Sequence, residues 1–83
     1  SMAETFAELK RQRKQALRGV RRIERSADTA IEKLERRIFR MLGRKTIIDR
    51  ESALTLVPLY NEFIAEVRKL EKAIADFISV SSI

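Results

Sequence analysis

The stretch LGRKTIIDRES, residues 42–52, stands between two long helical repeats and decides how they are joined. Gly43 tolerates the left-handed conformation that ends helices, so it reads as the stop of the segment before it. Thr46, three residues ahead of Asp49, and Ser52 are competing N-cap signals for the segment after it. A stop followed so soon by a start makes residues 43–51 a turn, and short turns make neighbouring helices antiparallel.

Upstream, apolar positions follow a spacing of three and four from Leu9 through Ala16, Val20, Ile23, Ala27, Ala30, Leu34 and Met41, with Leu17, Ile31 and Ile38 beside them. This is an a/d seam widened by e positions, the stripe of a bundle helix. Arg13 and Arg37 fall on the seam, where polar residues ordinarily fix register and oligomer state; Arg37 is placed to meet a carboxylate of another chain. SADTA, residues 26–30, is rich in cap-forming residues. The heptad phase nevertheless passes through it unbroken, so one continuous helix over about 4–42 is expected.

Downstream, Ala53, Leu56, Tyr60, Phe63, Val67, Leu70, Ile74 and Phe77 keep the same spacing, with Val57, Ile64 and Ile78 as a further line. Pro58 removes a backbone donor and disfavours a helical Val57. Either the second helix begins near Thr55 with Pro58 in its first turn, or it begins near Asp49 and kinks, which is the preferred reading.

The expected fold is all-α: an antiparallel helical hairpin of one domain over 1–83, with a helix at 4–42, a turn at 43–51 and a helix at 52–79. At 1.5 Å per residue the helices are about 58 and 42 Å long, so residues 1–12 overhang. Leu34 then lies near Leu59, and Ile23 near Leu70. Two stripes this broad are more than one neighbour can cover. Around the turn, Ile38, Phe39, Met41, Leu42, Ile47, Ile48, Leu54 and Leu59 are apolar almost all round. Self-association into a coiled-coil-like oligomeric bundle is the expectation, with Phe6, Leu9, Ile31, Ile38, Phe39, Leu42 and Leu59 as candidate interface residues.

Composition narrows the chemistry. The 83 residues contain no Cys and no His, which removes disulfides, thiolate nucleophiles and the usual zinc, copper and haem ligands. No acidic cluster has the spacing of a calcium loop, and no cofactor is expected. Acid–base work would fall to Asp, Glu, Lys, Tyr or Ser. LERR (34–37) and DRES (49–52) are too short to carry a likeness to the small all-helical chorismate mutases, so no residue receives a catalytic role. The longest uncharged runs fall far short of the roughly 20 residues of a membrane span. With Ser1 read as a cloning remnant ahead of Met2, the expectation is an intracellular, cytoplasmic protein.

The net charge of +6 is uneven: residues 1–46 hold 14 Lys/Arg against 6 Asp/Glu, and residues 47–83 hold 4 against 6. KRQRKQALRGVRR, residues 10–22, has seven basic side chains and no acid. On a helix Arg11, Lys14, Arg18, Arg21, Arg22 and Arg25 align opposite the seam along about 20 Å. Such a face suits a nucleic-acid backbone, since the guanidinium fork matches phosphate, or an acidic protein partner, or it is simply solvated. No aromatic is interleaved for base stacking, and an anionic membrane is the least favoured partner because the apolar face is committed to the bundle. The functional expectation is a non-enzymatic assembly module working through protein–protein contacts, as a homo-oligomer or within a larger protein complex. The alternative is a sequence-independent nucleic-acid-binding oligomer of the DNA-packaging type.

Overall fold

The structure, a computed structural model, describes residues 1–44 and 47–82. The described residues are all-helical: α1 (Met2–Arg44), the short α2 (Arg50–Leu54) and α3 (Val57–Ser81). Functionally α2 and α3 are one bent helix that returns along α1. The rod measures 66 × 16 × 13 Å. Its radius of gyration is 19.2 Å, against about 12 Å for a compact domain of this length.

Helix α1 runs unbroken through SADTA, as the heptad phase requires. The hydroxyls that threaten it are absorbed locally: Ser26 donates to the Arg22 carbonyl (3.4 Å) and Thr29 to the Arg25 carbonyl (3.0 Å). Gly43 does not stop the helix. It is helical, α1 continues through Arg44, and no described glycine has a positive φ. Arg44 is a basic residue in the last turn, where a cation favours the negative end of the helix dipole.

Of the competing caps, Asp49 is the one used: its carboxylate accepts the Ser52 N–H at 2.7 Å. Helix α2 therefore starts at Arg50, as the preferred reading of a bent helix beginning near Asp49 expects and two residues ahead of the 52–79 bounds, and Ser52 lies inside its first turn. Thr46 falls outside the described residues. The bend follows at Thr55 and Leu56, whose N–H groups donate three residues back, to Ser52 (3.1 Å) and Ala53 (3.0 Å). Both residues keep right-handed helical angles, so the chain tightens and re-aims rather than stops. Pro58 is the cause, because it has no N–H for the Leu54 carbonyl and its ring crowds the preceding residue. It then sits in the first turn of α3, where a donor is not needed. Replacing Pro58 with Ala is therefore expected to lower stability slightly, by about 0.5 kcal/mol, because the unfolded chain gains freedom. A melting-temperature rise equivalent to 1 kcal/mol or more would mean that the bend is strained.

The hairpin register is marked by Lys33 Nζ, 3.4 Å from a Glu62 carboxylate oxygen. Carried along antiparallel helices, this pairing puts Ser81 level with Lys14, so the first turns of α1 extend past the end of α3. The centre of the seam is Ala27, Ala30 and Leu34, the only buried side chains among the described residues. Of the half-buried residues of α1, Leu9, Ala16, Val20, Ile23 and Met41 fall on the expected line, and Gln12 and Gly19 border it.

Helix α3 departs from expectation. Its half-buried side carries Leu59, Phe63, Glu66, Leu70, Ala73, Phe77 and Val80, a regular 4,3 series. Tyr60 and Ile74, expected on the seam, are 53% and 41% exposed. The helix is thus turned by about 60° from the expected line, at 3.6 residues per turn. Glu66 is tolerated on the seam because its carboxylate meets Lys69 at 3.0 Å at the edge. Arg37 is not on the seam either. It is exposed, and Ile38 is the more buried of the two. No described helix is long and apolar enough to cross a membrane.

Candidate functional site

Two surfaces stand out on this rod, one charged and one apolar. The charged one is the outer face of α1. Arg11, Lys14, Arg18, Arg21, Arg22 and Arg25 are all exposed, on the side of α1 opposite the Ala27–Ala30–Leu34 seam, and a continuous helix holds them in line. Arg11, Lys14, Gln15 and Arg18 border a shallow depression of about 310 Å³.

Arg11 differs from the other five. Its guanidinium grips the Glu8 carboxylate through two hydrogen bonds, the Nε one at 3.0 Å, and touches the Gln15 amide oxygen at 3.3 Å. The Arg11 hydrogen bond holds the Glu8 carboxyl below its usual range, helped by Gln12, and Glu8 in turn raises Arg11. Because Glu8 is held down in the folded state, its small contribution is present above the normal carboxylate pKa and is lost as pH falls through the lowered value. Protonating Glu8 would also unmask Arg11. Reading residues 10–22 alone missed this, because the compensating acid lies two residues upstream of the stretch.

Lys14, Arg18, Arg21, Arg22 and Arg25 form no ion pair among the described residues. The basic track is also longer than expected. Lys33, Arg36 and Arg40 are exposed on the same side of the same unbroken helix, and from Lys14 to Arg40 it covers about 39 Å. In the sequence, IEKLERR (31–37) looks internally compensated. In the structure Lys33 turns to Glu62 across the hairpin, and Arg36 has no carboxylate partner among the described residues.

The apolar surface lies mainly on α3. Beside the seam line runs a second series at 3,4 spacing: Val57, Tyr60, Ile64, Val67, Glu71, Ile74 and Ile78. Val57, Tyr60, Ile74 and Ile78 are exposed, Ile78 by 57%, while Ile64 and Val67 are half-buried. Of the interface residues expected from sequence, Phe6, Phe39 and Leu42 are exposed. Leu9, Ile31, Ile38 and Leu59 are half-buried, and Leu59 borders a groove with Lys33, Arg36, Arg37 and Arg40 of α1. The α3 series was visible in part as the line Val57, Ile64 and Ile78. Assigning Tyr60, Val67 and Ile74 to the seam hid the rest.

No group of three or more acidic residues among those described is placed to hold a metal ion. No family model matches the chain, and no curated protein and no solved structure matches it either.

Proposed function

We propose that this chain is a non-enzymatic assembly module that pairs with copies of itself through the outward series of α3. The observation that carries this reading is the series itself: six apolar residues at coiled-coil spacing, with only Glu71 interrupting, on a face that the hairpin leaves open. Surface area supports it. The chain exposes 6739 Å², whereas a compact monomer of its mass exposes about 5100 Å². If each of two chains buried that surplus, the interface would total about 3300 Å², within the range of obligate homodimers.

A second copy is favoured over an unrelated partner because the series nearly matches itself when reversed. Laid antiparallel about a two-fold axis near Val67, Val57 meets Ile78, Tyr60 meets Ile74, and Ile64 comes level with Glu71. The two Glu71 side chains are then about 11 Å apart along the axis, so the one acidic interruption does not face itself. Sedimentation equilibrium tests the reading, with substitutions set out in the Discussion.

The second reading, contact with a nucleic-acid backbone, rests on the five exposed cations from Lys14 to Arg25 that have no carboxylate partner among the described residues. They lie on α1, away from the α3 series, so both readings can hold together. Binding to duplex DNA would be independent of sequence and would weaken steeply with salt, each neutralised phosphate adding about −0.9 to the log–log slope. Substituting Arg18, Arg21 and Arg22 together with Gln is expected to abolish binding while leaving helicity and mass unchanged. Failure of the unmodified protein to bind duplex at low salt rejects this reading.

A further inference from the structure

At the turn end of the rod, α1 and α2 border an open groove where the end of the basic track, at Arg40, meets Arg37, Arg44 and the hydroxyl residues of the bend. Arg37, Arg40 and Arg44 come from α1, and Ser52 and Thr55 from α2 and the bend; together with Met41 they border about 300 Å³. A neighbouring hollow of about 370 Å³ shares Arg37 and Arg40 and adds Lys33, Arg36 and Leu59. Arg37, Arg40 and Arg44 are spaced by three and four residues, so they stack on one flank of the helix within about 11 Å.

Stacking like charges this way is unfavourable in itself. The dipole at the end of α1 offsets it only for the last turn, which accounts for Arg44 but not for Arg36 or Arg37. Nor do carboxylates offset it: among the described residues none of Arg36, Arg37, Arg40 and Arg44 makes an ion pair, and Lys33 alone has one, with Glu62. The repulsion turns into attraction when a multiply charged anion enters. Guanidinium forks suit phosphoryl oxygens through paired hydrogen bonds. The hydroxyl residues Ser52 and Thr55 form the opposite wall, and no aromatic ring lines either hollow to stack on a base.

We infer that this groove is a binding site for a free oligophosphate, a short chain of linked phosphoryl groups held between Arg37, Arg40 and Arg44. The test is calorimetric titration of the full chain with tripolyphosphate at low salt, and with ATP as the nucleoside-bearing form. Saturable binding of one tripolyphosphate per chain is expected, with ATP no tighter. The double variant Arg37→Gln/Arg40→Gln should weaken binding at least tenfold. Arg18→Gln/Arg22→Gln removes the same charge from the outer face of α1 and should change it less than twofold. Arg40→Lys keeps the charge but loses the fork, and several-fold weakening with unchanged helicity is expected. Equal losses in the two double variants would mean diffuse attraction to a basic rod and overturn the site, as would the absence of saturable binding. Markedly tighter binding of ATP would overturn the assignment to oligophosphate, because the groove as described offers a base nothing to stack on.

Discussion

At micromolar concentration the protein is expected to sediment at no less than twice the 9.7 kDa of its chain, and to fall to a single chain when Ile74 and Ile78 are both changed to Glu. Each isoleucine gives up roughly 2–3 kcal/mol of burial when it is kept from an apolar interface. The carboxylate that replaces it would also have to be desolvated. Two such changes per chain occur twice in a symmetric pair, so a loss of affinity beyond a hundredfold is the expected scale. Phe39→Glu should weaken assembly less than the double change but more than Arg18→Glu, because Phe39 is an exposed ring and Arg18 belongs to the charged outer face. With only three side chains buried among the described residues, dissociation should be coupled to loss of helicity. The melting temperature of the unmodified protein should therefore rise with concentration. A monomer with sharp, dispersed NMR signals and a concentration-independent melting point would end the proposal.

The second large effect lies in the seam. Ala27, Ala30 and Leu34 are 6%, 5% and 8% exposed, and two small residues one turn apart let α3 approach closely. Leu34→Ala should cost about 2–3 kcal/mol, near the low end for a leucine truncation because the seam is open at its edges and can collapse. Ala30→Leu should also destabilise, by about 1–3 kcal/mol, since the added carbons find no space between the helices. Shifts on the order of 10 °C in melting temperature are the readout. Ala7→Leu, on an exposed turn of the overhang, is the control and should stay within about 0.5 kcal/mol. If Ala30→Leu stabilised the protein instead, the helices would not be in close contact there.

The comparison of sequence with structure is most instructive where the two halves differ. In α1 the apolar residues form one stripe bounded by charge, so the periodicity picks out the buried line, down to Ala27, Ala30 and Leu34. In α3 apolar residues cover well over half of the circumference, and two interleaved series share the same 3,4 spacing. Periodicity alone then has two solutions, and the line read from sequence runs between them. Packing against α1 resolves the ambiguity by half-burying Leu59, Phe63 and Leu70 and leaving Tyr60 and Ile74 outside. The charged face was legible for a related reason. Residue spacing on a continuous helix determines which side a residue occupies, but not which acid reaches it. That Glu8 takes Arg11 while Glu62 takes Lys33 depends on rotamers and on a distant helix. Gly43 misled because its conformational freedom permits a helix stop without requiring one. Pro58 was informative because a missing donor cannot be evaded.

The antiparallel register also bears on how the chain comes to its fold. Every pairing between α1 and α3 belongs to one ladder whose sequence separation shrinks steadily toward the turn, passing through 29 residues at Lys33–Glu62. Closing a loop costs more as it lengthens, so the first pairings formed are those beside the bend, and each one shortens the search for the next. Such a molecule zips from one end. The bend at Thr55–Leu56 and the cap at Asp49 are then the expected starting point of folding, and the far end of the rod, where α1 runs on alone, is expected to order last and to open first.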